Sequence, residues 1–370
     1  MIKKKYKSKK LKRYSLYIKK KRFYRKFGRK LNTLLNKKTR KSRQYKNNLN
    51  KKNNYKTKKP KVIVLPIILS LEKAYRNEFL RSITELQQYL PSKDYKCSID
   101  HSKIKRIDPE ALLVLAAEIK RSVSNKGINH LKYNKRYAPK NEQVLRMLNS
   151  IGYWEHFNIH MDSNNDRKRR FLKISHDIIA DNSHVVDLRD FFNRKLNFLP
   201  LHTTEMFDNA ISEAIANSVE HAYIKEQKLI TIKRAWWLSG SYNMETKELC
   251  FGCYDQGIGV KEALGHHDDR LIMKWIEKLN LKAKNDSDVI ETLVNEELPK
   301  YNNTDRGHGF KHFIKFIEDY TYGSLNIYSN KGEYNIFKEE DSIIKTKYDY
   351  EDTLNGTLIV WKIKLEGELK

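Results

Sequence analysis

Three short stretches of this 370-residue sequence combine residue types that can do chemistry. In the first, Glu213, Asn217 and His221 recur at intervals of four, so a helix carries them on one face. That face sets a carboxylate beside an amide. The carboxylate can orient or deprotonate a hydroxyl or a water, and the amide oxygen can ligate Mg²⁺. A solvated helical stripe has the same spacing, so this motif alone leaves both readings open. In the second, Asp255, Gln256, Gly257, Ile258 and Gly259 follow an apolar run. An Asp at a strand end followed by Gly-x-Gly makes a sharp turn where backbone can approach a flat ligand, and its carboxylate can accept a hydrogen bond from an exocyclic amine. In the third, Asp305, Arg306, Gly307, His308, Gly309, Phe310 and Lys311 lead directly into a helical pattern. Glycines at a helix N-terminus expose N–H groups to an anion and the helix dipole favours it, which makes a phosphate cradle; Arg306 and Lys311 add positive charge.

The elements needed to hold these motifs are legible in the pattern of apolar residues. A long helix over Thr203–Ala222 carries the first motif. Strand-like runs at Leu229–Trp237 and Glu248–Tyr254 lead into the second. A polar helical insert then precedes the third, followed by a helix over Phe310–Tyr320 and strands near Gly323–Ser329 and Gly356–Ile363. Upstream, Ser70–Leu90 reads as a helix and Cys97–Asp100 as a strand. Asp108 and Pro109 suit the N-cap and first position of a helix over Glu110–Ser122. Asn129–Tyr133 reads as a strand, Asn141–Ile151 as a helix and Arg170–Ile174 as a strand. Strands alternating with helices over 67–160 indicate a small α/β layer. The expected organisation is an arm (1–60), an α/β module (61–160), a connector (161–200) and a C-terminal domain (201–370).

The three motifs, in this order and spacing, resemble the GHKL ATP-binding superfamily of gyrases, heat-shock-90 chaperones, MutL proteins and histidine kinases. The resemblance covers about residues 200–365. It implies an α+β fold of the Bergerat type, an α/β sandwich with helices on one face of a mixed sheet, and ATP with Mg²⁺ as cofactors. Carried over residue by residue, it makes Asn217 the holder of Mg²⁺ and Asp255 the partner of the adenine amine, with Gly257 and Gly259 admitting the base. Arg306, Gly307, His308, Gly309 and Phe310 then wrap the phosphates at the end of a mobile lid supplied by residues 261–306. Thr357, after Gly356, lies near the nucleotide, and Glu213 takes the position of the catalytic base. The run from Glu213 to Tyr223 looks most like the anti-sigma-factor serine kinases. His160, His176, His184 and His202 lie in connector sequence rather than in the helical setting of a sensor kinase's phosphoacceptor. A second resemblance, carried by Cys97–Asp100 and Arg106–Leu112, is to STAS domains. Those domains bear a phosphorylatable serine at a helix start, where this sequence has Asp108, Pro109, Glu110 and Ala111, with no hydroxyl. Three activities stay open: an ATPase switch acting on a protein partner, a serine/threonine kinase of anti-sigma type, and a nucleotide-sensing binding module.

Other signals exclude more than they assign. Cys250 and Cys253 are too few for a structural zinc site and, three apart in a strand, point to opposite faces, so they read as buried strand residues. His266, His267, Asp268 and Asp269 are neighbours in the lid and read as solvent-facing. Cys97 completes a set of 3 cysteines that makes no disulfide framework. With no apolar run near the ~18–20 residues of a membrane span, this indicates a cytoplasmic protein. The formal charge is +29, from 74 Lys+Arg against 45 Asp+Glu. Of these, 27 basic groups and no acid fall in residues 1–60, which leaves 47 basic and 45 acidic groups in a near-neutral remainder. The arm interleaves Lys and Arg with Tyr6, Tyr14, Tyr17, Phe23, Tyr24 and Phe27, offering cations to phosphates and rings to unpaired bases. Its scarcity of apolar residues leaves little to offset ordering entropy, so it reads as disordered when free. It could also meet an anionic membrane surface or an acidic protein. The expected outcome for nucleic acid is sequence-independent binding that weakens steeply with salt and is lost on deleting residues 1–60; binding that survives the deletion or ignores salt sinks it.

Overall fold

The computed structural model describes residues 61–90, 92, 95–126, 134–157, 168–180, 183–196, 201–223, 235–266, 270–281, 284–296, 309–318 and 320–365. The basic arm, the strand expected over Asn129–Tyr133, most of that over Leu229–Trp237, and His160 lie outside them. Residues 59–370 make up one compact unit.

Its centre is an eight-stranded sheet in the order β11-β10-β9-β12-β8-β7-β5. These strands are β5 (Arg169–Phe171), β7 (Trp236–Asn243), β8 (Glu248–Asp255), β9 (Tyr322–Ser329), β10 (Gly332–Glu339), β11 (Ser342–Asp349) and β12 (Thr357–Lys364), with β6 (Ser175–Asp177) also paired to β7. The expectation of a mixed sheet is corrected: every pairing among the described strands of this sheet is antiparallel. The reason is connectivity. β7–β8 and β9–β10–β11 are successive hairpins, whose short turns leave no room for the crossover that a parallel pair needs. Asn243 makes the first of those turns by accepting from the N–H groups of Glu245 (3.0 Å) and Thr246 (3.3 Å). Parallel pairs occur instead in two small sheets near the N-terminal end, β1 (Lys61–Val64) with β3 (Cys97–Asp100), and β2 (Ile68–Leu69) with β4 (Arg106–Ile107). The helix α1 (Arg76–Tyr89) provides their crossover.

Helices of the C-terminal part pack on one face of the large sheet, and the N-terminal module covers its central strands on the other. On one face lie α4 (Ser183–Leu196), α5 (Leu201–His221), α8 (Asp286–Asn295) and α9 (Gly309–Glu318). Phe207, Phe251, Phe316 and Trp361 form the centre of this core, with Phe251 stacked on Trp361 at 5.1 Å. On the other face lies the N-terminal module, chiefly α2 (Pro109–Lys126), whose apolar run packs with Trp237, Cys250, Tyr254, Tyr328, Leu358 and Val360. Two-sided burial explains why β8 and β12 read as largely apolar runs rather than alternating ones. Cys250 and Cys253 do fall on opposite sides, one in each core. Burial pushes both thiols up, Cys250 to about 12. The stretch expected as a connector supplies β5, β6 and α4 to this body.

Charged and polar pairs fasten the module to the sheet. Lys362 Nζ donates to Glu110 Oε1 at 2.8 Å. Burial alone would lower the Lys362 ammonium, but Glu110 outweighs it and the pKa rises. Arg76 is fully buried between the rings of Tyr328 (5.0 Å) and Tyr350 (4.2 Å), with Glu333 at 3.9 Å. Helix α3 (Glu142–Ser150) starts at the N-cap Asn141, whose side chain accepts from Val144 N at 3.1 Å, close to the expected bounds. The helix expected over Ser70–Leu90 begins later, at Arg76, because the chain first turns, with Ser70 Oγ accepting from Glu72 N at 3.0 Å.

Within the module, His101 Nε2 lies 2.6 Å from the Tyr153 hydroxyl, against the rings of Tyr153, Trp154 and Phe157. Burial lowers its pKa from 6.5 to about 4. The unfolded chain therefore binds the extra proton first, and stability from this group falls as pH drops from 6.5 towards 4. Urea unfolding should show wild type losing about 2 kcal/mol more than His101→Gln between pH 7 and pH 5; equal losses would contradict a neutral buried imidazole.

Candidate functional site

One end of the sheet gathers the residues singled out by the second motif and by the Gly356-Thr357 pair. Across adjacent strands, Trp236 is opposite Asp255, Asp255 opposite Thr357, and Thr357 opposite Ser329. Asp255 ends β8 and Thr357 begins β12, so antiparallel pairing puts a carboxylate and a hydroxyl side by side. The Thr357 hydroxyl lies 3.4 Å from that of Ser329.

Asp255 is buried, 5 % exposed. Its Oδ1 accepts from Gly257 N at 2.9 Å and its Oδ2 from Ser218 Oγ at 3.3 Å. Among the described residues no cation pairs with it. Burial therefore dominates and raises its pKa from 3.8 to about 6, while the hydrogen bonds from Gly257, Ser218 and the Thr357 backbone oppose the rise. At neutral pH this is a largely ionised carboxylate whose partners among the described residues are neutral donors.

The turn after Asp255 is fixed by the end of α5. Ile258 N donates to Ala222 O at 2.9 Å, and Gln256 N donates to the Tyr223 hydroxyl at 3.1 Å, which itself donates to Ala235 O at 2.5 Å. Gly257 is required by this approach, since a Cβ there would stand 2.2 Å from Ala222 O. Gly259, at φ +83, caps the short helix α6 (Val260–Gly265) and lies against Asn330. The Asn330 side chain donates to Ile258 O at 2.7 Å and accepts from Gly356 N at 3.2 Å, so one amide spans both glycine turns. Ser329 Oγ accepts from Val260 N at 2.8 Å.

Of the first motif, Glu213 and Asn217 are half-buried on α5 and His221 is exposed, with Glu220 at 3.9 Å. The adjacent Ser218, not Asn217, touches Asp255. Of the third motif, Arg306, Gly307 and His308 lie outside the described residues. Gly309 opens α9, which packs directly against α5, and Phe310 is half-buried with its ring 5.3 Å from Phe313. The phosphate-type motif thus runs into a helix that neighbours the one bearing Glu213 and Asn217.

The segment expected as a lid contains α6, α7 (Arg270–Lys278) and α8 around a small core of Ile272, Ile276, Leu281, Val289 and Leu293. α8 is tied to the sheet: Ser287 N and Oγ both donate to Asp349, the first at 3.1 Å. His267, Asp268 and Asp269 lie outside the described residues. Among the described residues there is no cluster of three His, Cys, Asp or Glu side chains able to hold a metal.

Sequence reasoning missed Ser218, Ser329 and Asn330. Asn330 had a local signal, Asn-Lys-Gly between two strand-like runs, but its bonds to two distant turns had none. Compared with known proteins, the chain matches no family model, and no curated protein matches its sequence.

An unpaired buried carboxylate costs stability above its pKa. The folded state holds the proton more tightly, so stability falls as pH rises from 3.8 through about 6. Asp255→Asn removes the charge, keeps an oxygen to accept from Gly257 N, and turns its Nδ2 to donate to Ser218 Oγ, whose hydroxyl also reaches Ala214 O at 2.9 Å; it should raise stability at pH 8 by about 2 kcal/mol in denaturant melts. A variant less stable than wild type at that pH would show that the carboxylate is compensated by other means.

Proposed function

We propose that this chain binds ATP with Mg²⁺ in a GHKL-type site and uses it as an ATPase or nucleotide-dependent switch on a protein partner. The observation that carries the reading is Asp255: a buried carboxylate, with no cation paired to it among the described residues, at a sheet end between a Gly-x-Gly turn and Thr357. A protein that keeps a charge out of water at a cost has use for an acceptor there, and an exocyclic amine of adenine is such a donor. The antiparallel sheet with α5 and α9 side by side on one face supports the same reading. So does the helix-preceding glycine motif, whose N–H groups suit a triphosphate.

In this reading Asn217 offers a hard oxygen to Mg²⁺, which takes one or two protein ligands and completes its shell with phosphate oxygens and water. The ion, when bound, neutralises phosphate charge. Thr357 lies beside the base, Gly307 to Phe310 with Arg306 hold the phosphates, and Glu213 takes a proton from the attacking hydroxyl or water. If the hydroxyl belongs to a partner serine or threonine, the activity is that of an anti-sigma-type kinase, and the Glu213–Tyr223 run fits it. Residues 61–160 are STAS-like in this account. Their β1–α1–β3 crossover and the helix beginning at Pro109 support that, and they or the lid segment meet the partner. The basic arm recruits the molecule to nucleic acid. No described helix is long and apolar enough to cross a membrane.

ATP labelled in its γ-phosphate separates the outcomes: free phosphate marks the ATPase, labelled protein the kinase, and retention without turnover the binding module. Glu213→Ala should abolish turnover and leave binding; lost binding would refute its role as base. Asp255→Asn should weaken ATP roughly 10- to 100-fold, the worth of a charge-assisted hydrogen bond. Wild-type affinity should itself decline as pH falls below about 6, where Asp255 takes up a proton. Unchanged affinity in the variant would overturn the assignment.

A further inference from the structure

Glu118 stands in the middle of α2, surrounded in sequence by Leu112 to Ala117 and Ile119, all buried. It is itself fully buried. A carboxylate in such a run is costly unless every lone pair is met. Here four hydrogen bonds offset that cost: Arg121 NH2 donates to both oxygens (2.6 and 2.7 Å), Gln87 Nε2 to Oε2 at 3.1 Å, and Gln256 Nε2 to Oε2 at 2.8 Å, so Oε2 takes three donors and Oε1 one. Gln87 Oε1 in turn accepts from Asn355 Nδ2 at 2.7 Å.

The two ends of this network are the two turns that frame Asp255. Gln256 follows Asp255 directly and, by strand alternation, points through to the opposite face of the sheet. Asn355 precedes Gly356 and Thr357, in the left-handed region at φ 58. The turns touch each other: a Cβ on Gly356 would lie 2.0 Å from Asp255 O. One buried carboxylate of the N-terminal module therefore bonds, from behind the sheet, to the turn after Asp255 and, through Gln87, to the turn before Thr357.

We propose that Glu118 is a positioning residue for the nucleotide site, acting through Gln256 and through Gln87 to Asn355, so that the N-terminal module is part of what selects adenine. This rests on the reading of Asp255 as the adenine partner. Gln256→Met and Asn355→Gly each cut one arm of the network. Glycine suits the left-handed turn, and methionine leaves no unmet amide, so both variants keep the fold. Titration calorimetry of the full chain with ATP·Mg²⁺ and GTP·Mg²⁺ should show each variant about tenfold weaker for ATP and little changed for GTP. The control is Glu110→Gln with Lys362→Met, which cuts a different ion pair of the same interface and should keep the wild-type ATP affinity within twofold whatever its melting temperature.

Wild-type ATP affinity and selectivity in both Gln256→Met and Asn355→Gly would overturn the positioning role while leaving the ATP reading intact. An equal loss in the control would reduce the network to general docking and also overturn it. Failure of wild type to bind ATP would overturn the underlying reading, and this inference with it.

Discussion

Withdrawing a carboxylate from water without giving it a cation is a costly arrangement, and much of this molecule is disposed around one such group. Asp255 keeps its ionised form only because neutral donors converge on it from three elements: Gly257 from its own turn, Ser218 from α5, and Thr357 from β12. Each donor has to be delivered to within a few tenths of an ångström. Gly257 is delivered by the bond from Ile258 to Ala222, Thr357 by strand pairing, and Ser218 by the packing of α5 against the aromatic core. The glycines at 257 and 356 are where the chain gives up side chains so that these backbones can meet.

The second organising fact is that the central strands β7, β8 and β12 are covered on both faces. The helices of the C-terminal half cover one side and the N-terminal module covers the other, each with its own apolar core. Alternation along β8 then gives consecutive residues different jobs. Asp255 faces α5 and Gln256 faces α2, so adjacent positions report to opposite halves of the chain. This follows from the period of two alone, and it is the shortest path by which a change in one half can be felt in the other.

Local pattern made most elements readable. Asn141 and the apolar spacing after it marked α3, and Cys97–Asp100 was read to the residue. An Asp closing one apolar run and a Gly-Thr opening another were also visible, and pairing brought them together. Three things were not readable. β10 and β11 carry polar residues without a clean period of two, and β11 is exposed along its whole length, so no burial pattern distinguishes it. The cover on the second face could not be foreseen, because α2 looks like the helix of a separate module and only its fully buried Glu118 hints at a polar counterpart elsewhere. Asn330 belongs to a turn whose partners, Ile258 and Gly356, lie far off in sequence. Propensity and periodicity are short-ranged, whereas a site made where four strand ends meet is not.

The position of β12 has a consequence for how the molecule is made. It is the last described strand in the chain, yet it lies in the interior of the sheet, with β8 on one side and β9 on the other. Until it has left the ribosome the two hairpin systems share no edge, and the N-terminal module has no completed surface to settle on. Completion of the sheet therefore depends on pairings distant in sequence, such as Thr357 with Asp255. In the interval the nascent chain carries two open strand edges and an uncovered bed of tryptophan and tyrosine, the kind of intermediate for which chaperones exist.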